Sequence, residues 1–167
     1  MEKTKYSPQP ATLQHANARM LNRYMPWMDY MLTITLGKTY DLSLEPTYEQ
    51  ARDQLRHLGR TLNSAVWGNR SKYNDKCQVL YIPAIEGAVG NKRIHAHILI
   101  GNVKSRAELD AHLRSYIPRS HWLLPRYDVA EIHDGDGIAF YVAKETAGLN
   151  QGAIDWQLAS IPKPLMP

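Results

Sequence analysis

The segment RIHAHILIG, residues 93–101, alternates so strictly that it admits one local structure. Side chains on a β-strand point to opposite faces in turn, so Ile94, Ala96, Ile98 and Ile100 share one face while His95 and His97 share the other. The apolar face requires a core beneath it. The opposite face carries two imidazoles, ~6.5 to 7 Å apart along the strand and long enough to converge on a single point. A chain containing this strand must build a sheet with one face packed and one face available for chemistry.

The flanking segments supply that sheet. Residues 30–36, YMLTITL, alternate apolar residues with Thr and read as a first strand. The run PTYEQARDQLRHLGRTLNSAVWG opens with a capping box, Thr47 with Gln50, and repeats apolar residues at Ala51, Leu55, Leu58, Leu62 and Val66 before Gly68. It reads as a helix with one buried stripe. CQVLYIPAIEG is a second strand ending at Glu86, and the AVGNK turn returns the chain into the histidine strand as a hairpin. SRAELDAHLRSYI carries a second cap, Ser105 with Glu108, and is a helix stopped before Pro118. RYDVAEIH is a fourth strand. With Asp134 or Asp136 as N-cap, IAFYVAKETA forms a last helix closed by Gly148.

The order β α β β α β α predicts an α+β fold: a ferredoxin-like split βαβ antiparallel sheet with helices on one face and an appended C-terminal helix. Residues 29–148 form this unit. Residues 1–28 are an extension with a short helix around TLQHANARMLNRYM, its Met20, Leu21 and Tyr24 on one side and Pro26 ending it, and residues 149–167 are an irregular tail.

Composition narrows the class. A chain of 167 residues buries a single core without covalent staples. Its single cysteine, Cys77, excludes an internal disulfide and any multi-cysteine zinc site. No apolar run approaches a membrane span, and MEKTKYSPQP lacks the apolar core of a secretory signal. The expected compartment is therefore the cytoplasm, or the nucleus in a eukaryotic host. A net charge of +4 permits an anionic partner. Ten tyrosines and four tryptophans against one phenylalanine favour rings with polar tips, which suit surfaces that stack on bases.

Two imidazoles need a third ligand to hold a metal. Glu86 ends the neighbouring strand of the hairpin, and a carboxylate beside two imidazoles suits a divalent ion with open positions for substrate. Mn²⁺ or Mg²⁺ would serve as Lewis acid, and the ligand set also accommodates Zn²⁺ or Ni²⁺. Glu131 and His133 on the fourth strand are reserve ligands. Tyr141 and Lys144, three apart on the last helix, share a face and can approach one phosphate. A phenol becomes a useful nucleophile when a cation stabilises its charge, which Lys144 would do.

Taken in order, MLTITL, IHAHILIG and YVAKE resemble the three motifs of the HUH endonucleases, in particular the rolling-circle replication initiator (Rep) proteins of the single-tyrosine class. The resemblance runs from about residue 30 to residue 145, with Glu86 placed nine residues before His95. Ala96 is smaller than the bulky residue usual between the histidines; it points away from the ligands. The resemblance implies sequence-specific nicking of single-stranded DNA at an origin hairpin or nick site. It assigns Tyr141 as nucleophile forming a 5′-phosphotyrosine link, Lys144 as its partner, and Glu86, His95 and His97 as ligands of Mn²⁺ or Mg²⁺. Tyr116 and Tyr127 lie outside the nucleophile motif. There is no GxxxxGK[ST], since GAVGNKR fails the spacing, so either a host or separate helicase is expected as a partner or this chain is the nuclease domain of a longer protein, and a separate polymerase is expected in both cases.

Candidate DNA contacts are Arg70, Lys72, Lys92 and Arg93 in loops flanking the hairpin, and Arg119 and Arg126 around SHWLLP, with Trp122, Tyr73 and Trp67 available to stack bases. Three other readings compete. A single-tyrosine transposase shares the histidine strand and helical tyrosine. A cupin-like metal enzyme would need a further histidine strand and a nearby glutamate, but Glu108 sits in a helix. A non-catalytic single-strand-binding module would have no use for His95, His97 and Tyr141 together.

Overall fold

The computed structural model describes residues 10–38, 40–87, 93–147, 150 and 152–163. In chain order these form α1 (Pro10–Asn22), β1 (Met28–Leu36), α2 (Tyr48–Trp67), α3 (Arg70–Tyr73), β2 (Leu80–Glu86), β3 (His95–Gly101), α4 (Arg106–Tyr116), β4 (Leu123–Glu131) and α5 (Gly135–Val142). Short 3₁₀ turns cover Met25–Trp27, Ile117–Arg119 and Lys144–Ala147. The AVGNK turn, with Lys92, and Gly148 lie outside the described residues. None of the described helices is long and apolar enough to cross a membrane.

The four strands form one antiparallel sheet in the order β2-β3-β1-β4. This is the split βαβ arrangement that the element order predicts: β3 lies between β1 and β2, and β1 lies between β3 and β4. The histidine strand is therefore central, hydrogen-bonded on both sides. Helix α2 starts at the expected capping box, where Thr47 accepts from the Gln50 amide and the Gln50 side chain accepts from the Thr47 amide. Helix α4 starts at Ser105, which accepts from the Glu108 amide. Between α5 and β4 the cap is Asp134, whose carboxylate accepts from the Gly137 amide.

Strand parity divides the interior into two cores. On one face Ile94, Ala96, Ile98 and Ile100 pack with Leu32, Ile34 and the buried stripe of α2, together with Leu109 and Leu113 of α4. The other face carries a second core: Leu80, Ile82, Ala84 and Leu99 pack against Ala18 and Leu21 of α1 and Ala139 and Val142 of α5. Two helices cover the first face as expected, but the second face is not bare. The N-terminal extension folds back over it because its helix has its own apolar stripe, and this stripe includes Leu21 but leaves Met20 exposed.

The tail also contributes. Segment 152–163 lies along the outer edge of β2, where the Tyr81 amide donates to the Ser160 carbonyl at 2.9 Å and the Ile85 amide donates to the Ala153 carbonyl at 2.7 Å. Between these two outward-facing amides sits Pro83, which has none, so the β2–β3 ladder loses no donor. Its carbonyl accepts from the Asp155 amide at 3.0 Å. Asp155 is buried and paired with Arg52 of α2 at 2.5 Å, tying the tail to the helical layer. At the other end of the sheet, a Cβ on Gly101 would meet the Trp27 carbonyl oxygen at 1.9 Å, so the irregular start of β1 requires glycine there.

Candidate metal and nucleophile site

Glu86 and His95 are directly opposed in the β2–β3 register, and His97 opposes Thr33 on the other side of β3. All three candidate ligands thus stand on the same sheet face, at the end where the second core gives way to solvent. Their ligand atoms lie within 4.8 Å of one another. An ion about 2.1 Å from each ligand needs those atoms no more than about 4.2 Å apart, so tenths of an ångström of inward movement close the set. Among the described residues this is the one such cluster. Glu86, His95 and His97 can hold a metal ion.

The hydrogen bonds around the imidazoles suit that role. His95 Nδ1 lies 3.1 Å from the Arg93 carbonyl, which can only accept, so Nδ1 carries the hydrogen and Nε2 faces Glu86 Oε2 at 3.1 Å. His97 Nδ1 lies 2.9 Å from Thr33 Oγ1. With that nitrogen donating to the hydroxyl, His97 Nε2 keeps its lone pair toward the site. Such outer partners orient metal-bound histidines and hold the required tautomer. The Glu86 carboxyl is buried, 1% exposed, and its Oε1 has no hydrogen-bond partner. That oxygen sits 3.6 Å from His97 Nε2. A buried anionic oxygen left unpaired is costly, and a cation would satisfy it.

Charge is unevenly placed among these groups. Burial alone would push the Glu86 carboxyl up, but the hydrogen bond from His95, the neighbouring His97 and the Lys144 ammonium together hold it below its ordinary value. The hydrogen bond to Glu86 raises His95 above its ordinary value, against the effect of burial. Burial pushes His97 down to about 4, although Glu86 acts in the opposite direction. His97 is therefore neutral near pH 7, whereas His95 holds its proton more firmly than an ordinary imidazole.

Helix α5 brings the second constellation to the same place. Tyr141 presents its hydroxyl 3.5 Å from His97 Nε2, with the two rings edge to face at 5.1 Å. Lys144 lies beyond the end of α5, in the 3₁₀ turn, not on the helix itself. The tighter turn keeps it beside the tyrosine: Nζ is 3.7 Å from the ring centre and 3.2 Å from Glu86 Oε2. Burial works against the charge on Lys144, but bonding to Tyr141 and Glu86 outweighs it and raises its pKa. Tyr141 is 44% exposed, whereas His97 and Glu86 behind it are buried.

The reserve ligands are elsewhere. Glu131 shares strand parity with Val129, which belongs to the helix-side core, and so projects away from His95 and His97. It lies 3.7 Å from His133, both side chains exposed. The candidate DNA contacts are dispersed. The Arg93 guanidinium donates to the Leu42 carbonyl at 2.7 Å and pairs with Glu45. Arg119 donates to the Ser115 carbonyl at the end of α4. Trp122 packs beneath Lys38, whose ammonium is 4.1 Å from the ring centre. Both Arg119 and Trp122 line a cavity with Gln54, His57 and Tyr116 on the helical side of the sheet, away from the ligand cluster. Arg70, Lys72 and Tyr73 form α3, with Tyr73 almost fully exposed. Trp67 donates its indole N–H to the Asn102 carbonyl and is partly buried. Arg126 is exposed on β4 and shares parity with Asp128, which opposes Thr33 on the site face.

One residue at the centre, Thr33, was not among the sequence candidates. Its signal was present: in MLTITL both threonines fall on the parity opposite Leu32 and Ile34. Comparison with protein-family models, with curated proteins and with solved structures returns no match.

Proposed function

We propose that this chain is a metal-assisted endonuclease and strand-transfer enzyme of the HUH type, nicking single-stranded DNA through a covalent tyrosine link. The observation that carries this reading is the approach of the Tyr141 hydroxyl to His97 at 3.5 Å, within a cluster where Lys144 bridges the tyrosine ring and Glu86. A binding module has no need for a half-exposed phenol held against a buried imidazole and linked through Lys144 to a buried carboxylate.

Glu86, His95 and His97 would hold Mn²⁺ or Mg²⁺, and the bound ion would supply Lewis-acid stabilisation of charge at phosphorus. Tyr141 Oη forms a bond to the scissile phosphorus, and the bond from phosphorus to the 3′-oxygen breaks. The phenolic proton is transferred overall to the released 3′-oxygen, giving a 5′-phosphotyrosine and a free 3′-hydroxyl. One phosphoester replaces another, so the 3′-hydroxyl can reverse the step and rejoin strands. Lys144, already in contact with the ring, stabilises the developing phenolate and is close enough to shift toward the phosphate. Thr33 and the Arg93 carbonyl keep the imidazoles oriented. In a replication setting the released 3′-hydroxyl would prime a separate polymerase at an origin, with a separate helicase opening the duplex.

The test is covalent adduct formation. Full-length chain incubated with Mn²⁺ and a randomised single-stranded DNA library should give a species that survives denaturation and migrates as protein plus DNA. Tyr141→Phe and EDTA should each abolish it. An adduct that persists in either condition would overturn the mechanism.

A further inference from the structure

Helix α1 lies outside the stretch that resembles the nuclease motifs, yet it packs directly on α5 and the turn carrying Lys144. Ala18 and Leu21 share the second core with Ala139, Val142 and Ala143. On its outer side α1 meets Phe140, the residue before the nucleophile. Phe140 is the single phenylalanine of the chain and is 45% exposed. Its ring makes an edge-to-face contact with His15 at 5.6 Å. An apolar ring left half open next to the tyrosine, and held on one side by an imidazole, has the form of a stacking platform for a flat, unpaired ring.

The same helix continues that surface with positive charge. Arg19 is one helical turn beyond His15, and Arg23 follows at the helix end; both are exposed. Together with Ala16 and Met20 they line a groove. Among the described residues neither guanidinium is ion-paired. Over the ~12 Å from residue 15 to residue 23, α1 therefore presents an aromatic contact followed by two cations, a sequence of features that matches bases and backbone phosphates of about two nucleotides.

We infer that α1 and Phe140 form the binding track for the nucleotides flanking the scissile phosphate, with Phe140 stacking an unpaired base and Arg19 and Arg23 taking the adjoining backbone. The inference rests on the reading of Tyr141 as the nucleophile. It makes the N-terminal helix part of the nuclease and explains why α1 is docked on the one helix whose position matters for chemistry. Phe140, Arg19 and Arg23 act as binding and positioning residues; none touches the reacting atoms.

The experiment measures binding of the full-length chain to a fluorescent random-sequence single-stranded DNA pool in EDTA, so that no cleavage contributes, and adduct formation with Mn²⁺ separately. Phe140→Leu should weaken binding about tenfold. Arg19→Gln combined with Arg23→Gln should also weaken binding at low salt and reduce the dependence of log affinity on log salt by about 1.4, the value for two lost phosphate contacts on a single strand. Arg114→Gln, an exposed cation on α4 across the sheet, should leave binding unchanged. Unlabelled duplex of equal length should compete poorly, because its bases cannot stack on Phe140. If the α1 and Phe140 variants bind like the wild type, or if duplex competes as well as single strands, the track is overturned. In that case adduct formation by the wild type would still uphold the nuclease reading, whereas loss of the adduct with binding intact would overturn that reading and the placement of the track at a scissile phosphate, leaving α1 and Phe140 as a single-strand-binding surface only.

Discussion

Lys144 Nζ lies 3.2 Å from Glu86 Oε2, the same carboxylate oxygen that receives His95, while Glu86 Oε1 is left without a hydrogen-bond partner. One oxygen is doubly engaged and the other is open. Lys144 is therefore a competitor for a ligand atom as well as a neighbour of the tyrosine. An ion at the site would weaken the hold on the ammonium and free it to turn toward a phosphate.

Lys144→Met should accordingly separate metal binding from chemistry. Removing a positive charge beside a ligand oxygen should tighten Mn²⁺ binding severalfold in titration calorimetry. Covalent adduct formation should fall at least tenfold because the phenolate loses its cation. If Mn²⁺ bound more weakly in this variant, the competition described above would be wrong.

Glu86→Gln removes the anionic ligand and leaves the hairpin intact. With Mn²⁺ at 100 times its dissociation constant, wild-type protein should gain about 2.7 kcal/mol of stability by mass action. Thermal unfolding with and without Mn²⁺ should show that gain in the wild type and almost none in the variant. An equal rise in both would place the ion elsewhere.

Thr33→Val tests the outer partner of His97. The loss of the hydroxyl beside Nδ1 should reduce Mn²⁺ affinity by roughly 10- to 100-fold. The change is nearly isosteric, so the protein should stay folded in EDTA, as circular dichroism would show. Unchanged affinity would mean that Thr33 does not orient the ring.

The pH dependence of stability follows from opposite shifts at the two histidines. Burial places His97 at about 4 in the folded protein, whereas in the unfolded chain it titrates near its ordinary value of 6.5. Its contribution is complete above pH 6.5 and is lost as pH falls toward 4, by about 3 kcal/mol. His95 runs the other way. Its folded pKa is raised by Glu86, so its contribution is complete below pH 6.5 and is lost as pH rises through the raised value. Urea unfolding of metal-free wild type and His97→Gln at pH 7.5 and 4.5 isolates the first effect. The advantage of the wild type should shrink at the lower pH, and an advantage that does not change with pH would refute the assignment.

Leu21→Ala and Leu62→Ala remove fully buried side chains from the two different cores. Each should cost about 2–5 kcal/mol. Only Leu21 belongs to the core that α1 shares with α5, so at a temperature where both variants are folded the first should lose more adduct formation than the second. Equal losses would show that α1 does not position α5.

Much of this molecule was legible in its sequence because the relevant signals are local. Strand alternation separated His95 and His97 from Ile94, Ala96, Ile98 and Ile100, and the caps at Thr47 and Ser105 set the helix starts. The order of elements then implied the split βαβ sheet, and the hairpin implied that Glu86 would meet His95. Other features depend on contacts between segments distant in the chain. Nothing local to TLQHANARMLNRYM shows that Leu21 will pack on Ala139, and nothing in YVAKE shows that Lys144 will leave the helix and reach Glu86.

The division has a physical origin. Side-chain parity and capping are settled within a few residues, so the strand faces, the helix starts and the residue types that could serve as ligands and nucleophile can be read along the chain. Which face remained open, where α1 and the tail docked, and how Lys144 was shared between Tyr141 and Glu86 were decided by the tertiary structure. There, burial of the second apolar surface draws α1 and α5 together and brings a phenol, an ammonium, a carboxylate and two imidazoles to one end of the sheet.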